Sequence, residues 1–397
     1  MTTPATTAET GVAAGRPQPQ TTVESPGGPF VRHSQPGRRA MYIAQPTWGG
    51  LVAEPMVALP GYASAYRIKT TFTDAGGTAA TFGQDGMPAV YQLVTLKDAF
   101  GTPIIVCPGY EAFVLIPLYS GQFGVDSTQD PGNLPSFVPG ALTSGAGSFS
   151  SSLPWEFAKA YGLISGANAS LLPTLQMNVN TAAGVFSAIT GAPPTIMVQN
   201  DADFYWLPQG VSVEPPGIGT TCQWVLQPCN PLVASHGTLN VQYPRLGGYI
   251  TTEIIIMRDA QNARIDGWPL RPRFMVDGVP LIDTDLSTLY DDMAISLSVG
   301  ATSGGALVGN ATPQGLAGSV VCQRPVGTLG LTRKTALRQR HMGLLETGEV
   351  FLSTNPGTSR EIAGAPWGTV NNPPARVNVL VGQVVPSGQL IQGLPEV

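Results

Sequence analysis

Charge is what this sequence has least of. Of its 397 residues only 11% are Asp, Glu, Lys or Arg, about half the ordinary share of ~25%. Four lysines stand against 16 arginines, and the net charge is -5, which excludes a nucleic-acid-binding body, since that function needs a basic footprint. A surface so poor in charge is ill suited to standing alone in water, and this implies that copies of the chain cover much of it.

Cysteine and histidine are scarce as well. Cys107, Cys222, Cys229 and Cys322 form no Cys-x-x-Cys pair and have no His at ligand spacing, so a zinc site is not expected. Cys222 and Cys229 lie seven apart; a disulfide there stays open, with buried free thiols as the expected state. His33, His236 and His341 stand apart, which removes two-His metal spacing and gives Ser-His-Asp catalysis no support. No G-x-S-x-G elbow, phosphate loop or dinucleotide fingerprint precedes a helix, and no cofactor is expected. Gly, Pro or polar residues interrupt every apolar run before membrane-span length. The start lacks the pattern of a secretory signal, so folding in cytoplasm is the expectation and the sequons at Asn168 and Asn310 are chance matches.

Glycine and proline, by contrast, are abundant: 48 and 37, together slightly more than a fifth of the chain. Both are disfavoured inside helices and punctuate turns, so a folded chain this rich in them consists of short strands and many loops. The class expected is all-β. Residues 1–41 read as a flexible N-terminal arm, with six prolines before position 40 and almost no large apolar side chain before Phe30. Arg32, His33, Arg38 and Arg39 cluster near its end and are candidates for contacts with lipid headgroups or nucleic acid on an inner face, against the alternative of a solvated linker.

Beyond the arm, Tyr66, Ile68, Thr70 and Phe72 alternate with Arg67, Lys69, Thr71 and Thr73, the period of a half-buried strand. VYQLVTL (90–96) and TPIIVC (102–107) flank KDAFG as a hairpin. EAFVLIPLYSG (111–121) reads as a further strand, 122–151 as a Gly/Ser loop, and Leu153–Tyr161 as a helix capped by Ser152. Strands follow at 175–180, 195–199, 203–207 and 221–228. The second half repeats the plan: strands at 238–244 and 249–259, a hairpin at Asp277-Gly278, a loop at 298–318, a helix in LTRKTALRQRHMG with Thr332 as cap, and strands at 348–354 and 375–385. Arg333, Lys334, Arg338 and Arg340 on that helix are candidate inter-subunit contacts.

This order of elements resembles the double jelly-roll major capsid proteins of tectivirus-like, membrane-containing phages. The resemblance covers most of residues 42–397 and is carried by YRIKTTFTDAGG with VYQLVTLKDAFGTPIIV, by LNVQYPRLGGYITTEIIIMRD, and by TRKTALRQRHMGLLETGEVFLSTNPG with NNPPARVNVLVGQVV. It implies two tandem eight-stranded jelly rolls, 42–232 and 233–397, with short inserted helices and an N-terminal arm. It further implies a homotrimer forming a pseudo-hexameric capsomer of an icosahedral virion. The partners would be neighbouring capsomers, penton and minor capsid proteins, and an internal membrane reached through the arm, without specific nucleic-acid binding. Assembly would take place in the host cytoplasm.

Two other chemistries leave traces in the sequence. VDGVPLIDTDLS (276–287) is similar to the Asp-Thr-Gly loop of aspartic proteases, where two carboxylates share a proton, but Asp285 replaces the Gly and no second copy supplies a partner; Asp283 or Asp285 capping a short helix is the plainer reading. Trp155, Tyr161, Trp206, Trp224 and Trp268 could stack sugars in a carbohydrate- or receptor-binding spike, the alternative function, although core packing is the ordinary role of such rings.

Overall fold

The computed structural model describes residues 28–54, 57–74, 79–116, 141–142, 147–156, 162–215, 221–229, 239–243, 249–260, 269–276, 278–285, 288, 320–323, 343–344, 350–351, 360–364 and 376–385. Eight strands build the first barrel: β1 (Gln35–Ala44), β2 (Leu51–Ala53), β3 (Tyr62–Thr73), β4 (Tyr91–Lys97), β5 (Pro103–Cys107), β6 (Gly147–Pro154), β7 (Thr174–Val179) and β8 (Thr195–Trp206), with the shorter strands Ala79–Phe82, Ala141–Leu142, Ile164–Ser165 and Phe186–Thr190 falling between them in the chain. They form two sheets, one ordered β1-β8-β3-β6 and the other β2-β7-β4-β5. Neighbours pair antiparallel throughout. First strand beside eighth and second beside seventh is jelly-roll connectivity.

Alternation decides which face goes inward. In β3, Tyr66, Ile68, Thr70 and Phe72 are fully buried while Arg67 and Lys69 are exposed, as the sequence pattern requires. β6 obeys the same rule with smaller residues: Phe149, Ser151 and Leu153 point inward between exposed Ser148 and Ser150. The helix expected from Ser152 onward is therefore absent at 152–154, where the chain is still strand, and the expected Gly/Ser loop ends before Gly147. The separate strands expected at 195–199 and 203–207 are one continuous strand, β8, because it must span both β1 and β3.

The strand expected at 111–121 is instead a wide helical turn at Glu111–Leu115. Every one of its residues is buried, and a run covered on all sides carries no periodicity by which strand and helix could be told apart. The short helix Gly28–His33 seats Phe30, fully buried, against Tyr62, Tyr205 and Leu163.

Eight further strands repeat the order: β9 (Thr221–Cys229), β10 (Leu239–Tyr243), β11 (Tyr249–Arg258), β12 (Arg273–Val276), β13 (Val279–Asp283), β14 (Val320–Gln323), β15 (Arg360–Gly364) and β16 (Arg376–Val385), while Gly343–Leu344 and Val350–Phe351 pair apart from them. The sheets run β9-β16-β11-β14 and β10-β15-β12-β13. The expected hairpin turns between β12 and β13, with Gly278 at φ 79, a left-handed conformation that glycine adopts at little steric cost. Gln35–Ala44 is a ten-residue edge strand paired with β8, and Thr221–Cys229 pairs with β16 of the second set. Cys222 is a buried free thiol; it and Cys229 open and close one extended strand, too far apart for a disulfide.

The two sets share a sheet. β9 pairs with β5 in parallel, Trp224 opposite Ile105 and Val225 opposite Val106, so that eight strands run without a break from β14 to β2. Parallel pairing fixes orientation: β5 climbs away from the β4–β5 turn, and β9 climbs in the same direction from its own start. The two barrels consequently stand side by side and the same way up. One end gathers the start of β1, the turns after β2, β4 and β6, the end of β8, and the equivalent β12–β13 turn of the second barrel.

Candidate assembly surfaces and the barrel junction

Where two barrels share a sheet, the strands lose alternation. Ile254, Ile255, Ile256 and Met257 in β11 are all fully buried, as are Val379, Leu380 and Val381 in β16; consecutive burial means that both faces are covered. One face fills the second barrel, and the other meets the first, whose core is contiguous with it. Trp224 lies in the same layer, buried, with its ring over Gly382, its cross-strand partner. A Cβ at 382 would stand 2.8 Å from the indole, which leaves no room for any residue but glycine.

At the end of that apolar run sits Arg258. Its guanidinium is only 4% exposed and donates to Asp85 at 3.0 Å and to Glu111 at 3.0 Å, the Glu side chain being 1% exposed. Both carboxylates belong to the first barrel and the arginine to the second. Burial alone would lower the arginine's proton affinity, but Glu111 and Asp85 outweigh it and hold the group above its ordinary range. Two charges of one sign around one of the other, removed from water, are stable only as a complete set. This cluster was missed in the sequence, although a lone Glu inside the apolar CPGYEAFVLIP and a lone Arg closing TTEIIIM were its signal.

The candidate arm residues fall at the shared loop end. Arg32 and His33 are exposed on the Gly28–His33 helix. Arg38 and Arg39 are not in a tether but on β1: Arg38 donates to Asp203 at 2.7 Å and Arg39 to the Ala58 carbonyl at 2.8 Å. Asp203 also accepts from Arg67 at 2.5 Å, so one carboxylate on β8 ties the two flanking strands. With the arginine side chains 51% and 44% exposed, such pairs stabilise weakly: Asp203→Ala is expected to cost less than about 1 kcal/mol in urea titration, and less still at high salt, where exposed pairs are screened.

The same end presents apolar side chains. Phe100, 90% exposed, tops the β4–β5 turn, whose shape is set by Asp98 Oδ1 accepting from the Phe100 and Thr102 amides at 2.9 and 2.7 Å and by Gly101 at φ 84. Leu171 at 43% and Trp206 at 41% belong to the same loop end, and Val279, 59% exposed, begins the strand after the equivalent turn of the second barrel.

The other sequence candidates separate. Arg333, Lys334, Arg338 and Arg340, with the helix expected around them, lie outside the described residues, as do Pro117, Tyr161, Trp268, most of the expected loop at 122–151 and the whole of that at 298–318. Trp155 and Trp224 are core rings, Trp155 donating to the Ala63 carbonyl at 3.0 Å; Trp206 alone of the described candidates is exposed. Asp283 pairs with Arg271 at 2.8 Å on an exposed strand end, and Asp285 is exposed beyond it; among the described residues no carboxylate is seen to share a proton with either.

Solved structures place this topology. The chain is similar to the major capsid protein of Sulfolobus turreted icosahedral virus, at 13% identity and TM-score 0.57 over 90% of this chain and 98% of that one. A chain in the atomic structure of that virus matches at 13% identity and TM-score 0.54, over 91% of this chain and 94% of that one. The Faustovirus major capsid protein matches at 8% identity and TM-score 0.55, over 89% and 90%. The chain is a double jelly roll. No family model matches the sequence and no curated protein matches it, so the likeness rests on strand order and pairing and not on shared residues.

Proposed function

We propose that this double jelly roll is a major capsid protein, three copies of which form a pseudo-hexameric tile of an icosahedral virion. The observation that carries the reading is the parallel β5–β9 pairing, which sets two barrels of like connectivity side by side and the same way up. Three such pairs closing in a ring give six similar barrels. The low charge of the chain suits a surface largely covered by sister subunits, and the similar solved structures named above are capsid proteins. In this reading the chain performs no chemistry and needs no cofactor. The passage between barrels lies between Trp206 and Thr221, and Arg333, Lys334, Arg338 and Arg340 contact neighbouring subunits. Penton and minor capsid proteins complete the shell, which assembles in the host cytoplasm.

The loop end faces inward, towards an internal membrane, and the arm before residue 28 continues from it. Exposed Arg32, His33, Lys97, Phe100, Leu171 and Trp206 mix cations with aromatic and aliphatic tips, the composition that settles on an anionic lipid surface. Light scattering of the purified full chain is expected to give the mass of a trimer or larger, and the protein should sediment with anionic vesicles at low salt, less so for Phe100→Asp with Arg32→Glu. A stable monomer at micromolar concentration contradicts the tile; a trimer indifferent to vesicles contradicts only the membrane assignment.

A further inference from the structure

A polar pair crosses the first barrel. Glu54 follows β2, its amide donating to the Leu175 carbonyl of β7 at 3.3 Å, and its side chain reaches Asn200 of β8 in the opposite sheet. The Asn200 Nδ2 donates to Glu54 Oε2. Both residues are buried, Asn200 completely, and two oxygens are left over, Glu54 Oε1 and Asn200 Oδ1, neither with a hydrogen-bond partner. Two orphaned acceptors on one bonded pair are costly in a low-dielectric interior. A single proton resolves both.

We propose that Glu54 is held as the neutral acid, its Oε1–H donating to Asn200 Oδ1 so that carboxyl and amide form a doubly hydrogen-bonded pair joining the two sheets. Exchange of the amide oxygen and nitrogen would set an acceptor against Oε2 and require the proton just as firmly. The surroundings agree. β3 contributes Tyr66, whose hydroxyl donates to the Pro173 carbonyl at 2.7 Å, and β4 contributes Tyr91, joined to Thr70 at 2.8 Å. Burial pushes both phenols up, the Thr70 hydrogen bond opposing at Tyr91, so neither brings a charge to the pair, and β7 contributes apolar Leu175. Burial pushes the Glu54 carboxyl up to about 7, the Asn200 hydrogen bond opposing.

The consequence is a proton-dependent clasp. In the unfolded chain Glu54 ionises near 4.5. Below that pH both states carry the proton and the pair is intact at no cost; between about 4.5 and 7 only the folded state keeps it, and stability falls as pH rises, levelling off once both states are ionised. Over that window the folding constant should drop by up to roughly a hundredfold from this site. The first barrel tightens on acidification.

Urea unfolding of the full chain between pH 4 and 9 tests this. Glu54→Gln preserves a double amide pair without a titrating group, so its folding constant should exceed that of the wild type at pH 8, match it at pH 4, and lose this site's share of the pH slope. Asn200→Asp makes two carboxyls share one proton and should steepen the slope. A protonated-carboxyl infrared band at pH 6, present in the wild type and absent in Glu54→Gln, would confirm the neutral acid. Equal slopes in all three proteins, or no such band, would overturn the assignment; should Glu54→Gln fail to fold, the Asn200→Asp slope and the wild-type band decide it.

Discussion

Arg258→Ala is expected to destabilise the chain by about 3–5 kcal/mol, the ordinary cost of leaving a buried counter-charge unpaired. Glu111, 1% exposed, would then face the junction with no cation, and Asp85, 20% exposed, would turn to water at smaller cost. The direction distinguishes this cluster from a surface pair such as Arg38 with Asp203. It also predicts a rescue: Glu111→Gln in the Arg258→Ala background should recover much of the loss, because removing the second charge of a buried set relieves the first removal. Urea denaturation of the single and double variants gives the coupling energy, and near-additive losses would show that the guanidinium does not bridge the barrels. Because the carboxylates sit in one barrel and the arginine in the other, unfolding of Arg258→Ala should also lose cooperativity, the two barrels separating into distinct transitions.

Trp224→Ala is expected to cost about 3–5 kcal/mol, the range for removing a buried aromatic from a core that cannot collapse around the void. Collapse is blocked here on both sides. Gly382 has no side chain to move into the space, and Ile105 opposite is held by the β5–β9 ladder. Gly382→Ala should be destabilising for the converse reason, overpacking against the same ring, and Gly382→Ala with Trp224→Phe should recover part of that loss. Calorimetry on the three variants checks the set; a Trp224→Ala loss below about 1 kcal/mol would mean that the indole is not packed as described.

The sequence was most readable where each strand has one wet face. Tyr66 to Phe72 in β3, the β4–β5 hairpin and the turn at Gly278 all follow from period-two alternation and turn chemistry; the pairing of such elements into two jelly rolls is what the resemblance of their order to a known family implies. It was least readable where both faces are dry. Glu111–Leu115 reads as part of a strand over 111–121 because a fully buried run has no period, and Ile254–Met257 gives no local sign that both of its faces are covered. The serines of β6 mislead for a different reason: Ser150 looks like loop and Ser152 like a helix cap, yet β6 is an outer strand of its sheet, where small polar residues are tolerated on the wet side. Arg38 and Arg39 were assigned to a tether from composition alone; the preceding prolines hid an edge strand, whose unpaired side accepts residues that a central strand would not.

The interface residues behaved in the same way. Exposed candidates such as Arg32 and His33 were legible as a basic cluster, since surface charge is a local property. Arg258, Glu54 and Asn200 were not, because each matters only through a partner roughly 150 or more residues away along the chain, or across the sandwich, and no local pattern encodes that pairing. A single charged residue inside an apolar run was the available clue at Glu111 and Arg258. Glu54, in LVAEPMV, offered the same clue.

Electron cryomicroscopy of the purified full chain tests the central claim most directly. The proposed tile predicts particles with six barrel-shaped lobes per trimer, all standing parallel to the ring axis, with adjacent lobes of each subunit joined through a continuous sheet. Separate single barrels, or paired barrels pointing in opposite directions, would contradict it.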